Sequence, residues 1–214
     1  RHTPEHATFG YSFLFLASAA IGLFGVHLLS ITPDQPMAPV ENRIHPLEML
    51  SAPFRDRNFR QLILFLAAWN FAVNLASPFF AVYMLKTLAF PLTTVMALTV
   101  ASQLSNLASL TLWGTLTDRF SNKAVFEICA PLFLLCTLAW AFTDLSWMRS
   151  SVMYFLFGIH ILMGIATAGM ALASNNIAMK LSPPGQATAY IAANSVATAS
   201  AAAVAPILGG LAAD

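Results

Sequence analysis

The sequence predicts an all-α fold, a polytopic bundle of about six membrane-spanning helices. Hydrophobic residues make up 58% of the chain and charged residues 9%, whereas a soluble domain is roughly 45–50% apolar and about 25% charged. Apolar runs recur along the chain, and each is about 20 residues long, the length of a helix that crosses a bilayer. The charged residues are concentrated between these runs. Lipid is therefore the expected solvent of most of the chain.

The apolar runs give the order of the predicted spans. The first is too long for the core of a signal peptide and has no basic leader, so we interpret it as a true span in a chain whose start lies further upstream. The fourth is almost purely apolar apart from Glu127, and we expect it to be peripheral and to face lipid. The predicted spans cover approximately residues 7–31, 62–85, 91–113, 124–142, 152–179 and 187–212.

Residues 32–60 differ from the rest of the chain in composition. They contain eight of the 19 charged residues and five helix-breaking prolines, Pro33, Pro36, Pro39, Pro46 and Pro53. A structureless connection of this length is unusual inside a compact domain. We therefore predict a central linker over 32–60, with a short surface helix around 46–51. It would join the last span of an amino-terminal half, 1–31, to a carboxy-terminal bundle, 61–214, whose last helix is missing.

The basic residues predict which side of the membrane each loop occupies. The loops at 32–60, 114–123 and 180–186 hold seven of the Lys and Arg residues, and the segments on the other side hold three. Cytoplasmic loops carry an excess of Lys and Arg. The linker and the loop at 114–123 are therefore predicted to be cytoplasmic, in a multi-pass protein of the cell membrane.

Several spans carry polar side chains at helical spacing. Asn70, Asn74 and Ser77 share one face of the second span, and a stripe that includes Asn106 follows one face of the third. Amides and hydroxyls in hydrocarbon need partners, so these faces form hydrogen bonds between helices or line a wet cavity; the sequence leaves both open. His160 is the only ionisable side chain well inside a span, and it is either functional or a hydrogen-bonded structural residue.

A short charged stretch, 113–123, lies between the third and fourth spans. Gly114 would let the backbone leave the helix in a tight turn, and Asp118 could accept hydrogen bonds from the free amides of a helix start. Arg119 and Lys123 mark the side of the membrane. The stretch is predicted to be a gate loop. The alternative is a solvated loop without a gating role, whose basic residues only reflect the excess of Lys and Arg in cytoplasmic loops.

Several functional classes are disfavoured by the sequence. The net charge of +1 and the absence of a basic run argue against a nucleic-acid partner. Cys129 and Cys136 lie seven positions apart in one apolar run, which predicts packing and neither a disulfide framework nor a metal site. The chain has no His-Glu-x-x-His, Gly-x-Ser-x-Gly or Asp-pair motif, so we expect no enzyme and no cofactor. A non-transporting sensor or assembly factor remains the alternative to a transporter.

The chain contains a weak internal repeat. Gly114 precedes Asp118 by four residues at the end of the third span, and Gly210 precedes Asp214 by four at the end of the sixth. Two triplets of spans with opposite orientation are typical of secondary transporters. The repeat predicts one further span after Asp214.

The charged stretch 113–123 resembles a sequence signature of a known protein family. Gly114-x-Leu116-x-Asp118-Arg119, followed by Lys123, is similar to the loop signature of the major facilitator superfamily, in the copy between its eighth and ninth helices. Residues 54–60, just before the second predicted span, are similar to the start of the family's seventh helix. Residues 206–210, near the end of the sixth predicted span, are similar to the end of its eleventh. Ser121 and Asn122 depart from the signature, which usually has Gly and a basic residue there. The resemblance covers the whole chain, from helix six to helix eleven.

The resemblance implies alternating access, with two six-helix halves rocking about a central site. It implies that Asp118 caps a helix of the absent amino-terminal half, and that the other partners are the lipid bilayer and a small-molecule substrate. The implied gate residues are Gly114, Leu116, Asp118, Arg119 and Lys123. Helices seven, eight, ten and eleven line the cavity in this family, so the pathway candidates are Asn70, Asn74, Asn106, His160, Asn175 and Asn194.

Overall fold

A computed structural model describes residues 4–33, 46–145 and 150–213, and every regular element in these ranges is helical. This confirms the all-α prediction. Six of the helices are long and apolar enough to cross a membrane, all except α2. A 3₁₀ turn, Trp140–Phe142, follows α5. The helices are α1 (Pro4–Ser30), α2 (Pro46–Arg55), α3 (Arg57–Lys86), α4 (Leu92–Arg119), α5 (Asn122–Ala139), α6 (Val152–Leu181) and α7 (Ala187–Ala213).

The chain divides into two compact units, residues 1–43 and 44–214. In the first unit, α1 is a helix whose large apolar side chains are exposed, including Phe15, Leu16 and Leu23. The composition of Gly10–Ser30 suits contact with hydrocarbon. The second unit contains α2 to α7 and all of the gate and pathway candidates.

The last part of the predicted linker 32–60 is helical: it contains α2 and the first residues of α3. The short surface helix is confirmed as α2, but it extends through Pro53, which is fully buried, so the expectation that this proline breaks regular helix is wrong. Asp56 then caps α3, since its carboxylate accepts hydrogen bonds from the backbone N–H groups of Asn58 and Phe59 at 2.8 and 3.1 Å. This cap starts α3 at Arg57, earlier than the predicted span. Linker residues 34–45 lie outside the described residues.

The connection between α4 and α5, which lies in the charged stretch 113–123, is shorter than predicted. Helix α4 continues through Gly114 to Arg119, and only Phe120 and Ser121 separate it from α5. The expected turn at Gly114 is therefore wrong. The flanking residues explain why: Trp113 and Thr117 are buried on the same helix, and a glycine inside a helix costs only about 1 kcal/mol relative to alanine.

Asp118 does not cap the helix that follows it. The cap of α5 is Ser121, whose hydroxyl accepts a hydrogen bond from the N–H of Ala124 at 3.0 Å. Asp118 lies in the last turn of α4 instead. The expectation of a capping role within this chain is therefore wrong, while a role towards another part of the protein stays a prediction.

The helix contacts run between the two predicted triplets of spans. The two most extensive helix contacts are those of α3 with α7 and of α4 with α6, and the next is that of α5 with α6. The first helix of each triplet thus packs against the second helix of the other. Asp214, the last residue of the sequence repeat, lies outside the described residues.

Helix α5 is less peripheral than predicted. One face is buried against its neighbours and carries Val125, Cys129 and Phe133, whereas Ile128 and Leu135 are exposed on the other. Both cysteines are free and buried, as expected from the sequence. The interpretation of α5 as lipid-facing therefore holds for one face only.

Glycines mark the closest approaches between helices. A Cβ atom on Gly164 of α6 would collide with the backbone carbonyl of Ser102 in α4. A Cβ atom on Gly209 of α7 would lie 2.6 Å from the carbonyl oxygen of Leu75 in α3. Small residues allow helix backbones to approach closely in membranes, and Gly164 and Gly209 have this role here.

We predict that Gly164→Ala destabilises the protein, because the added methyl group meets backbone, which cannot move aside as a side chain can. Overpacking of this kind costs about 1–3 kcal/mol. Thermal unfolding of the purified full-length protein in detergent measures the effect. The matched control is Gly158→Ala in the same helix, where the new methyl group meets open space; equal unfolding temperatures for the two variants would contradict the assignment.

Candidate functional site

The polar side chains of α3 bond to their own helix. Asn70 donates from Nδ2 to the carbonyl oxygen of Leu66 at 2.8 Å, and Asn74 donates in the same way to that of Asn70 at 2.8 Å. Ser77 donates to the carbonyl oxygen of Val73 at 2.7 Å. One N–H of each amide and the hydroxyl of Ser77 are therefore satisfied four residues back along the helix. Among the described residues, this face is therefore not held to a neighbouring helix by its own donors.

A first cavity, which we call the amide cavity, lies between α3, α6 and α7. Its volume is about 330 Å³, and it brings together three of the predicted pathway residues, Asn70, Asn175 and Asn194. Asn194 is 7% exposed, and its side-chain Oδ1 has no hydrogen-bond partner among the described residues. The remaining lining residues are Leu66, Trp69, Val73, Thr167, Met170, Ala171, Ser174, Ser195 and Thr198.

A second cavity, the histidine cavity, lies mainly between α3, α4 and α6. It measures about 560 Å³ and contains two further candidates, Asn106 and His160, together with Gln103. It shares Val73, Thr167 and Ala171 with the amide cavity. The two cavities therefore adjoin along α3 and α6.

Thr167 connects the helices at the boundary of the two cavities. Its hydroxyl donates to the carbonyl oxygens of Met163 and Gly164 at 2.9 and 3.0 Å, and it accepts from Nδ2 of Asn106 at 3.2 Å. Asn106 thus bonds α4 to α6 and also lines a cavity. The sequence left open whether such side chains bond helices together or line a cavity, and Asn106 does both.

His160 is oriented by its own helix. Its Nδ1 lies 2.8 Å from the carbonyl oxygen of Leu156, and since a carbonyl can only accept, Nδ1 carries the hydrogen. In the neutral ring this leaves Nε2 as the unprotonated nitrogen. The ring also packs edge-on against Trp140, with centroids 5.8 Å apart. The side chain is therefore fixed at the wall of the histidine cavity with one nitrogen able to take up a proton.

The cavities gather most of the predicted pathway residues. Five of the six candidates line one cavity or the other, and Asn74 lines neither. The described lining residues of both cavities include no Asp, Glu, Lys or Arg. Both sites therefore offer hydrogen-bonding groups without a fixed formal charge.

Sequence reasoning missed several lining residues. Thr167 and Ser174 lie at helical spacing on the same face of α6 as the predicted Asn175, and Ser195 and Thr198 lie near the predicted Asn194 on α7. This spacing was a usable signal. The spacing alone was not specific for a cavity, because small hydroxyl residues also occur at ordinary helix contacts in membranes.

The gate residues lie at the ends of two helices. Asp118, Arg119 and Lys123 are exposed, while Leu116 packs against the core. Lys123 pairs with Glu127 across 3.7 Å, an exposed pair of a kind that contributes about 0–1 kcal/mol. Asp118 forms no ion pair with any described residue. Its carboxylate stands in the last turn of α4, where the helix dipole disfavours negative charge.

Asn122 explains one departure from the family signature. It is the first residue of α5 and is only 5% exposed, and its Oδ1 has no partner among the described residues. The basic residue usual at this position would be buried here, and burying an unpaired charge is costly. A small amide therefore suits this site better than a basic side chain.

Comparison with known proteins covers the bundle that holds both cavities. The family model described as Major Facilitator Superfamily matches residues 61–214. No curated protein and no solved structure matches the chain. The matched region contains all the gate and pathway candidates and spans α3 to α7 almost completely. The chain therefore belongs to the Major Facilitator Superfamily, whose members are typically membrane transporters and not enzymes.

Proposed function

We propose that this chain is part of a secondary transporter that moves a small solute across the cell membrane by alternating access. The observation that carries the proposal is the pair of adjoining cavities on α3 and α6, lined by amides, hydroxyls and one histidine. Polar groups at membrane depth are costly and mark substrate or ion pathways. In this proposal, α3, α4, α6 and α7 form one wall of the solute path, and an amino-terminal half of the protein forms the other.

The bundle has the features of a body that moves as one piece. Besides the close approach at Gly164, Trp113 donates from Nε1 to the carbonyl oxygen of Ile165 at 2.8 Å, and Asn106 bonds to Thr167. These contacts hold one turn in the middle of α6, residues 164–167, to α4. Alternating access is largely a rigid-body rocking of one bundle against another around a fixed site, which suits such a locked pair.

The exposed charges at the end of α4 support a gate. Asp118 has no ion-pair partner among the described residues and lies at the unfavourable end of its own helix dipole. A partner in the amino-terminal half, such as a helix start, would offset both costs. We therefore propose that Asp118 closes a contact between the halves in one of the two conformations, on the cytoplasmic side.

The gate role predicts that Asp118→Asn slows transport and leaves solute binding intact, because the cavity lies elsewhere in the bundle. Flux into proteoliposomes containing the full-length protein measures the first, and stabilisation of the purified protein by the same solute measures the second. Glu127→Gln is the control, since it removes an exposed carboxylate on the same side. Unchanged flux in Asp118→Asn, or equal slowing in both variants, would remove the gate assignment.

His160 is the proposed proton carrier if protons drive transport, because its Nε2 is able to take up a proton at the cavity wall. We expect His160→Ala to abolish the dependence of flux on an imposed proton gradient. Asn106→Ala changes the same cavity without removing an ionisable group and should keep the dependence. A gradient dependence that survives in His160→Ala would assign the coupling to another residue.

A further inference from the structure

We propose that a pocket between α3 and the 3₁₀ turn after α5 binds a small organic cation that carries an alkylated ammonium group. This pocket, which we call the aromatic pocket, is lined by two alanines and by Phe79, Phe80, Tyr83, Trp140 and Asp144. Its volume of about 410 Å³ is in the range of small-molecule sites, roughly 300–1,000 Å³. It shares no lining residue with the amide cavity and only Phe80 with the histidine cavity. The site therefore adds to the proposed transport function and does not depend on it.

Aromatic rings form most of the wall of this pocket. Phe80 and Trp140 stack in parallel, with ring centroids 4.3 Å apart. The ring of Tyr83 stands at 75° to that of Trp140, with centroids 6.2 Å apart, and Phe79 adds a fourth ring. A cation within about 6 Å of an aromatic centroid is attracted by the negative face of the ring, and proteins recognise quaternary ammonium groups in this way. The arrangement of the rings therefore favours a cationic ligand.

Hydrogen bonds hold the two sides of the aromatic pocket together. The hydroxyl of Thr143 donates to the carbonyl oxygen of Trp140 at 2.7 Å. The same hydroxyl oxygen can then only accept from the hydroxyl of Tyr83, which lies 3.0 Å away. Trp140 and Thr143 are both buried, so this chain of bonds fixes the turn to α3. The pocket is thus formed before a ligand enters, which lowers the entropy cost of binding.

Asp144 adds a negative charge to the wall of the pocket. It follows Thr143 directly, and it forms no ion pair with any described residue. Tyr and Trp are also common where spans reach the membrane surface, so the rings alone would indicate only the depth of this turn. A carboxylate in the same wall is not explained by depth. It supplies the counter-charge that a bound cation needs.

The apolar character of the rings restricts the cation further. A primary ammonium group is a compact, strongly hydrated charge, and it would lose that water against the rings. The methyl groups of an alkylated ammonium instead gain from contact with apolar surface. Such a group belongs either to a free solute or to the headgroup of a choline lipid, since the pocket lies where a span ends.

Choline is the probe for this class, because it carries a trimethylammonium group. Its uncharged isostere, in which a carbon atom replaces the nitrogen, has the same shape and is the control ligand. Titration calorimetry on the purified full-length protein in an uncharged maltoside detergent measures both affinities. We expect choline to bind about tenfold more tightly than the isostere, because only choline gains from the rings and the carboxylate. Equal affinities, or no binding of choline, would overturn the proposal.

The location of the site is tested with Asp144→Asn, which removes an exposed charge, and with Phe79→Leu, which keeps an apolar side chain and removes a ring. Each has a matched control outside the pocket: Glu127→Gln for the carboxylate, and Phe142→Leu for an exposed ring on the same turn. We expect each pocket variant to weaken choline binding about fivefold, and each control to leave it within twofold. Unchanged binding in both pocket variants would place choline elsewhere and contradict the assignment.

Competition with lipids separates the two sources of the ammonium group. Phosphatidylcholine is added to the micelles, and phosphatidylglycerol, which has no ammonium group, is the control. Displacement of choline by phosphatidylcholine alone identifies a lipid headgroup as the ligand, and displacement by neither lipid identifies a free cation; both results support the site. Equal displacement by the two lipids would show that acyl chains fill the pocket, and would overturn the proposal.

Discussion

The structure depends on one constraint: inside a membrane, a polar group has no water to bond unless the protein provides a wet cavity. The described spans meet it in three ways. Side chains such as Asn70 bond to the backbone of their own helix, and Asn106 bonds across to α6. Others, such as Asn194, meet a cavity with an acceptor still unsatisfied. Asn70 and Asn106 also line a cavity, and the bonds named here use only one N–H of each amide, so all three side chains keep bonding capacity for a solute. The cavities are therefore where function is expected.

Close packing gives that site a firm support. Gly164 and Gly209 let two pairs of helices, α6 with α4 and α7 with α3, approach to backbone contact. In the proposed alternating-access motion, side chains on such tightly packed helices would keep their positions relative to one another. The charged gate residues, Asp118, Arg119 and Lys123, lie away from this packed region, at the exposed ends of α4 and α5. Binding and gating are thus assigned to different parts of one rigid unit.

The sequence predicted the parts of this structure that depend on composition and on spacing along one helix. Apolar runs located the spans, and the i, i+4 spacing located faces such as that of Asn70. It failed where the outcome depends on contacts between helices. Gly114 stays helical because Trp113 and Thr117 are buried beside it, and the one-sided burial of α5 comes from its contact with α6. Cavity membership likewise depends on which faces meet, so Asn74 was included and Thr167 was not.

Accessibility to a water-soluble thiol reagent tests the assignment of the cavity face most directly. Single cysteines are introduced at Ser174, in the amide cavity, and at Leu135, on the exposed apolar face of α5, in full-length protein in its membrane. The native Cys129 and Cys136 are buried and contribute little background. A wet cavity predicts fast modification at position 174, slowed by a bound solute, and slow modification at 135. Equally slow modification at both positions would contradict a solute path along α3, α6 and α7.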